Sequence, residues 1–214
     1  MNQLKPRVFV IDDDAAMRKS VARLLASYSD YESETFASAS DFLALPPYPG
    51  PSCVIVDVQM PGLDGLEFQQ ALINRRREEQ LIFISGHGNV PMCAQVMKAG
   101  AIDFLPKPFK PAELISCVKC ALERSEQQRK GANQKADARA LLDLLTPREF
   151  QVLELVVQGL MNKQIAAELG MAEQTAKVHR GRVTRKLGLA SAVELARLVE
   201  RAGMAKPLAD STKV

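Results

Sequence analysis

A chain of 214 residues with 47% apolar and 25% charged side chains has the composition of a globular protein of one or two domains, which excludes collagen-like and low-complexity chains. No apolar run approaches the ~18 residues that a membrane-spanning helix needs, and acidic residues follow Met1 too soon for a signal peptide. We therefore expect a cytoplasmic protein with no membrane partner. Residues 1–125 carry 13 Lys and Arg against 15 Asp and Glu (net −2), whereas residues 146–214 carry 11 against 7 (net +4). This asymmetry predicts two domains with separate tasks, the basic one suited to nucleic acid.

The first half of the chain has the pattern of strands that alternate with amphipathic helices. The predicted strands are Arg7–Ile11, Tyr31–Phe36, Cys53–Asp57, Leu81–Ser85 and Ile102–Leu105. Helix-start signals stand between them, because Asp64 precedes Gly-Leu-Glu and Pro111 opens the fifth helical stretch. The alternation predicts an α/β flavodoxin-like domain at residues 1–125, with a parallel sheet covered on both faces.

A polar stretch separates the two halves. From Glu123 to Ala140 there is no large apolar residue, and the segment from Gln127 to Lys135 is predicted to stand in water without packing against other parts of the chain. We place a helical linker at residues 126–145, in which Gly131 and Asn133 weaken the helix.

After this linker the apolar periodicity is helical only. Thr146-Pro147-Arg148-Glu149 reads as an N-cap, a proline at the first helical position and a capping-box glutamate. Further helices are predicted for Asn162–Leu169, about Glu173–Lys186 and Ala192–Ala202, with a glycine turn between the first two. A short helix, a glycine turn and a longer helix are typical of the helix-turn-helix motif. We therefore expect an all-α four-helix helix-turn-helix domain at residues 146–210, and a disordered tail from Lys206.

Acidic side chains follow two of the predicted strands. Asp12, Asp13 and Asp14 come directly after the first strand, and Asp57 ends the third. In a flavodoxin-like strand order these two strands are neighbours, so their carboxyl ends meet at one edge of the sheet. Clustered carboxylates repel one another, and a hard divalent ion such as Mg²⁺ is their natural neutraliser. One of the first three can instead cap the first helix, a role that suits Asp14 best.

A hydroxyl and an ammonium group are predicted at the same edge. Ser85 ends the fourth strand and Lys107 follows the fifth. Taken alone, Ser85 reads as a turn hydroxyl and Lys107 as a solvated charge. Because the carboxylates, the hydroxyl and the ammonium group stand at successive strand ends, together they indicate a phosphoryl site. In this site Asp57 is the acceptor and the other groups neutralise or hydrogen-bond the phosphate.

These residues belong to a set of motifs that resembles the receiver domain of two-component response regulators over residues 6 to about 122. The motifs are Asp12-Asp13, Val56 to Gly65, Ser85 to Gly88, Lys98 to Phe104 and Lys107-Pro108-Phe109. The resemblance implies that Asp57 takes a phosphoryl group from a histidine kinase, and that Asp12, Asp13, Asp57 and the backbone carbonyl of Gln59 bind Mg²⁺. It also implies a switch pair of Ser85 and Phe104, phosphate binding by Lys107, and a cis peptide at Lys107-Pro108.

The basic half resembles the LuxR-type helix-turn-helix of FixJ-like and NarL-like regulators over roughly residues 144–203. The matching motifs are Leu145 to Glu149, Val152-Leu153, Gly159, Asn162-Lys163, Ile165-Ala166, Leu169, Thr175 to Arg180 and Lys186-Leu187. Several Lys and Arg residues make the second helix of the motif strongly positive, as phosphate and guanine contacts require. The candidate DNA-binding residues are Lys163, Thr175, Lys177, Val178, Arg180, Gly181 and Arg185. Ala172 departs from the family's frequent capping serine, and Ala176 from a common valine.

Together these features predict a phosphorylation-controlled transcriptional regulator that dimerises when phosphorylated and binds double-stranded DNA and RNA polymerase. We expect no turnover of a separate substrate, so it is not an enzyme in that sense. A metal-dependent phosphatase with Asp57 as nucleophile is a rival, but such sites usually carry a second Asp where Gln59 stands. A phosphate-independent DNA-binding scaffold is a second rival, which the intact carboxylate, hydroxyl and ammonium set opposes.

Overall fold

The computed structural model describes residues 4–28, 30–86 and 90–204. The chain divides into two compact units, Met1–Arg129 and Lys130–Val214, each of which is described by itself below. His87 and Gly88 of the fourth-strand motif, and the tail predicted from Lys206, lie outside the described residues. Within the described ranges, every helix is too short or too polar to cross a membrane.

The first unit contains one parallel sheet of five strands. The strands are β1 (Arg7–Ile11), β2 (Glu32–Phe36), β3 (Ser52–Asp57), β4 (Gln80–Ser85) and β5 (Asp103–Pro106), and their order in the sheet is β2-β1-β3-β4-β5. All four neighbouring pairs are parallel. The predicted strands are the observed ones with ends shifted by at most one residue, and the α/β flavodoxin-like fold is confirmed.

A helix follows each strand, and three of the helices begin at the predicted signals Asp14, Asp64 and Pro111. The helices are α1 (Ala15–Ala26), α2 (Ala39–Leu43), α3 (Gly65–Asn74), α4 (Val90–Lys98) and α5 (Pro111–Leu142). The Asp14 carboxylate accepts a hydrogen bond from the backbone N–H of Ala16 at 2.8 Å, so Asp14 caps α1 as predicted. Asp64 and Glu67 form a reciprocal capping box at the start of α3.

Successive residues of the central strands point into two separate cores because strand side chains alternate between faces. On one face, Val8, Val10 and Ile55 pack with apolar residues of α1 and α5. On the other face, Phe9 and Val54 pack with apolar residues of α2, α3 and α4. All six residues of β3 and of β4 are buried, as expected for central strands that are covered on both sides.

The polar stretch after residue 122 differs from its predicted character. The structure is helical through Gly131 and Asn133. Ser125 is buried, and its hydroxyl accepts a hydrogen bond from the backbone N–H of Ser52 at 3.0 Å. Ala138 is also buried, in the core of the second unit. The prediction that Gln127 to Lys135 packs against nothing is wrong at Gln128, whose Oε1 accepts a hydrogen bond from Gln80 Nε2 at 2.6 Å. The burial of Ser125 and Ala138 on either side was not predicted, because Ser and Ala side chains are small enough to be buried where backbones approach closely.

The second unit contains the four predicted helices within its described part. They are α6 (Pro147–Val157), α7 (Asn162–Glu168), α8 (Glu173–Leu187) and α9 (Ala192–Arg201). Their apolar faces form one core that includes Leu153, Ile165, Val183 and Leu195. Capping boxes open α6 and α9, and Gly170 takes a positive φ of 62° in the turn between α7 and α8. The all-α helix-turn-helix prediction is confirmed.

Candidate functional site

Three carboxylates meet at the carboxyl edge of the sheet. Asp12 and Asp13 directly follow β1, and Asp57 ends the neighbouring strand β3. One carboxylate oxygen from each of the three lies within 4.8 Å of the others. Asp12 is fully buried and Asp57 is 8% exposed, whereas Asp13 is exposed to solvent. The site is therefore a shallow acidic pocket with one open side.

Lys107 joins two of these carboxylates. Its Nζ atom donates to Asp12 Oδ2 and to Asp57 Oδ2, both at 2.8 Å. Burial would lower the pKa of this ammonium group, but hydrogen bonds and charge attraction from the two carboxylates outweigh burial, so the pKa is raised. Lys107 is therefore protonated at neutral pH and carries a fixed positive charge beside Asp57. The Lys107-Pro108 peptide is cis, as the family resemblance implied.

The loop after β3 holds Asp57 in place through its backbone. The N–H of Gln59 donates to Asp57 Oδ1 at 3.3 Å, and the N–H of Gly65 donates to the carbonyl of Val58 at 2.9 Å. A Cβ atom at Gly65 would lie 2.8 Å from Val58 Cα and 2.9 Å from the Asp57 carbonyl oxygen. Glycine is required here because the start of α3 touches the backbone that carries Asp57.

The predicted switch residues lie on neighbouring strands. Ser85 ends β4, is buried, and pairs in register with Pro106 of β5, while the N–H of Lys107 donates to the carbonyl of Ser85 at 2.8 Å. Phe104 pairs in register with Phe83 and is partly buried against the core beside α4. The topology thus brings Ser85 to the edge that holds the carboxylates and places Phe104 further down the adjacent strand.

Arg18 is a residue of this site that sequence reasoning missed. Its Nη1 atom donates to the backbone carbonyls of Asp12 at 2.6 Å and Asp13 at 3.0 Å. The Asp12 carboxylate also accepts the backbone N–H of Asp14 at 2.8 Å. These bonds fix the loop that presents both carboxylates. The one available signal was the position of Arg18 in the first turn of the helix directly after the acidic run.

The donor set fits Mg²⁺. Magnesium prefers oxygen ligands and uses few protein carboxylates, keeping several of its waters. Asp12, Asp13 and Asp57 supply carboxylate oxygens around a pocket that is open on the Asp13 side. These three residues, with the Gln59 carbonyl predicted from the family resemblance, are the ones that would hold the ion.

One face of α8 forms a basic surface on the second unit. Ala176, Val183 and Leu187 are buried and attach this helix to the core. The opposite face of the helix is exposed and contains the predicted DNA-binding residues Lys177, Val178, Gly181 and Arg185, at spacings that bring them together. Of the predicted DNA-binding residues, Lys163, Thr175, Lys177, Val178, Gly181 and Arg185 are exposed, and Arg180 is partly buried.

Two local features shape this basic surface. Arg180 Nη1 donates to Asn162 Oδ1 of α7 at 3.3 Å, so its guanidinium group is oriented across the helix-turn-helix. A Cβ atom at Gly181 would meet nothing within 4 Å, so the missing side chain leaves open space on the exposed face. The cap residue Ala172 makes no side-chain hydrogen bond, as its departure from the family pattern predicted.

Comparison with known proteins identifies both units. The response regulator receiver domain matches residues 8–119, and the bacterial regulatory proteins of the luxR family match residues 143–199. The chain belongs to the response regulator family. It consists of a receiver domain and a LuxR-type DNA-binding domain, the composition of a two-component transcriptional regulator.

Response regulators that resemble this chain align along nearly its whole length. Nodulation protein W of Bradyrhizobium diazoefficiens is 41% identical over 98% of this chain and 92% of its own length. FixJ of Azorhizobium caulinodans is 41% identical over 96% of each chain. Among solved structures, the response regulator StyR has a TM-score of 0.83 at 42% identity, covering 92% of this chain and all of that one. Full-length FixJ from B. japonicum has a TM-score of 0.55 at 38% identity, covering 95% of this chain and all of that one.

For this response regulator, the receiver domain implies a histidine kinase as partner, and the LuxR-type domain implies binding to DNA. The family assignment thus agrees with the acidic pocket of the first unit and the basic helix of the second.

Proposed function

We propose that this response regulator takes a phosphoryl group from a histidine kinase onto Asp57, and that the modification promotes receiver dimerisation and promoter binding. The observation that carries the proposal is the ammonium group of Lys107, which lies 2.8 Å from both Asp12 and Asp57. A fixed positive charge at the acceptor can stabilise charge that develops on a transferring phosphoryl group.

In the proposed step an Asp57 carboxylate oxygen attacks phosphorus and forms an acyl phosphate. The bond from phosphorus to the histidine nitrogen of the kinase breaks, and the imidazole leaves with the electron pair. Lys107 and the Ser85 hydroxyl would interact with phosphate oxygens, a role supported by their position at the same sheet edge as Asp57. Bound Mg²⁺ would supply positive charge that neutralises the phosphoryl oxygens.

The effect on DNA binding is proposed to pass through Ser85, Phe104 and the surface at 91–100. Phosphorylation adds charge beside Lys107 and draws Ser85 towards the phosphate. Phe104 packs against the core beside α4, a helix of which Val96 is the buried residue. Movement of Phe104 would therefore change a largely exposed surface that could then bind a second receiver. Two joined chains would place their basic helices about one helical turn apart on a roughly two-fold symmetric DNA site.

The proposal also includes an interaction with RNA polymerase and no turnover of a separate substrate. DNA-bound dimers would act on RNA polymerase at a promoter, and the acyl phosphate would be a regulatory mark without release of product from a separate substrate. A phosphatase would instead need a further group that activates water after the first transfer. Gln59, which lacks a titratable side chain, stands two residues after Asp57.

Labelling with a ³²P-labelled acyl phosphate tests the acceptor. We expect at most one phosphoryl group per chain, dependence on Mg²⁺, and no label on Asp57→Asn, which is nearly isosteric but cannot accept the group. Full labelling of Asp57→Asn would contradict the acceptor assignment. Release of many equivalents of phosphate per chain would support the phosphatase instead.

Sedimentation of the full chain with beryllofluoride tests dimerisation. We expect a monomer that becomes a dimer at micromolar concentration when beryllofluoride and Mg²⁺ are present, and no change for Asp57→Asn. A chain that stays monomeric and binds DNA equally well with and without beryllofluoride would contradict the dimerisation step. Binding that improves without dimerisation would also contradict the dimerisation step, because phosphorylation would then act within the single chain.

A further inference from the structure

Lys186 differs from the other basic residues of α8 in what its charged end contacts. Its Nζ atom donates to Glu149 Oε2 at 2.7 Å and to the carbonyl oxygen of Leu144 at 2.9 Å. Lys186 is itself exposed, like Lys177 and Arg185, but its charged end is hydrogen-bonded to the protein. The ammonium group of Lys186 is therefore bound to α6 and to the turn that precedes α6.

Glu149 is held tightly on its own side of this contact. It is 3% exposed, and its Oε2 atom also accepts the backbone N–H of Thr146 at 2.9 Å as part of the α6 capping box. The hydrogen bond from Lys186 is the main reason that the pKa of Glu149 is lowered to about 2. A buried carboxylate that loses its cation is strongly unfavourable, so the two side chains are coupled.

The apolar contacts of α8 leave the helix free to rotate about its own axis, and this ion pair can restrict that rotation. Ala176, Val183 and Leu187 hold the helix against the core by burial, which is not directional. A charged hydrogen bond is directional and short. Because Lys186 lies in the last turn of α8, its bonds to two points near the start of α6 restrict rotation of α8 about its own axis.

We propose that Lys186 is a positioning residue, and not a DNA contact: through Glu149 and the Leu144 carbonyl it sets the rotation of α8, and so decides which exposed side chains face the bases. The inference rests on the proposed DNA-binding function. It assigns to Lys186 an influence on sequence discrimination, whereas a lysine that binds phosphate strengthens binding to all sequences alike.

The test compares Lys186→Met with Lys177→Ala on two DNA duplexes of about 30 base pairs, long enough for a two-fold symmetric site. One duplex is enriched from a random pool by the wild-type chain, and the other is its scrambled sequence. For Lys186→Met we expect the ratio of the two affinities to fall roughly tenfold, comparable to the effect of a mismatched base pair. The salt slope, which is the slope of log affinity against log salt concentration, should stay unchanged. For Lys177→Ala we expect the slope to fall by about one.

Further variants separate positioning from loss of folding. Lys186→Arg should restore discrimination, because a guanidinium group can donate to the same two oxygens. The losses of Glu149→Gln and Lys186→Met should not add in the double variant, because each acts through the other. Circular dichroism confirms that the compared variants are folded, and hydrogen exchange over residues 173–187 reports α8 without any DNA.

Three results would overturn the inference. The first is an equal loss of affinity for both duplexes with a salt slope lowered by about one in Lys186→Met, which is the behaviour of a phosphate contact. The second is wild-type discrimination by Lys186→Met. The third is additive losses in the double variant. If the wild-type chain enriches no duplex at all, the proposed function is wrong, and unchanged exchange of α8 in Lys186→Met would then refute the positioning role separately.

Discussion

Replacement of Gly65 by alanine should damage the receiver unit and its chemistry together. The added Cβ atom would lie 2.8 Å from Val58 Cα, 2.9 Å from the Asp57 carbonyl oxygen and 3.1 Å from Phe83 Cε1. Two of these neighbours are backbone atoms of the segment that presents Asp57, so the substitution cannot be accommodated by rotating a side chain. Overpacking of this kind costs about 1–3 kcal/mol.

The same displacement should slow phosphorylation of Asp57. A shift of the acceptor of about 1 Å can cost roughly 10²-fold in rate, because in-line transfer needs close alignment of the reacting atoms. We expect Gly65→Ala to lower the labelling rate by an acyl phosphate at least about tenfold when Mg²⁺ is saturating.

Hydrogen exchange measured in increasing urea follows the two units separately and so avoids assuming one cooperative transition. Peptides from β3 report the receiver unit, and peptides from α6 report the second unit. Gly131→Ala is the matched control, because a Cβ atom there meets nothing within 4 Å and the helix interior favours alanine by about 1 kcal/mol. If Gly65→Ala keeps wild-type protection in β3 and the wild-type labelling rate, the argument from close backbone contact is refuted.

Three further predictions concern charge at each site. Asp57→Asn should remove labelling and the response of DNA affinity to beryllofluoride while circular dichroism stays unchanged; persistent labelling would place the acceptor elsewhere. Lys177→Ala should lower the salt slope of DNA binding by about one, whereas Arg197→Ala on α9, the charge-matched control, should leave it unchanged; equal slopes for the two variants would contradict the placement of α8 on DNA. Because the pKa of Glu149 is lowered to about 2, its ion pair should stabilise the second unit fully above about pH 4.5 and lose this effect as the pH falls towards 2. The expected loss of unfolding free energy is about 1–2 kcal/mol after allowing for solvent around the partly exposed Lys186. In Lys186→Met, the unfolding free energy measured by hydrogen exchange in α6 should depend less on pH over this acid range.

The parts of the structure that follow from local pattern were predictable from the sequence. Apolar runs ending in Asp57 and Ser85 indicated strands, and parallel topology places such ends at one edge of the sheet. Local cap signals likewise located the starts of helices, as at Asp14 and Thr146, because the bonds that satisfy a helix start span only a few residues.

The contacts that were missed leave no residue-specific signal in the sequence. Arg18 contacts backbone carbonyls, which have no residue-specific signal in the sequence. Lys186 reaches Glu149, which is 37 residues away, and a charge on a basic helix gives no indication of its partner. The burial of Ser125 also escaped prediction, because a small polar residue reads as solvent-exposed unless the opposing backbone is known.

We propose above that the state of Asp57 controls DNA binding by the second unit. The most direct measurement is the affinity of the full chain for its enriched duplex, with and without beryllofluoride and Mg²⁺, for the wild type and for Asp57→Asn. We predict that beryllofluoride tightens binding by the wild type and makes it cooperative on a two-fold symmetric site, while Asp57→Asn shows one unchanged, weaker affinity. Equal affinity of the wild type under both conditions, or the same tightening in Asp57→Asn, would contradict the claim.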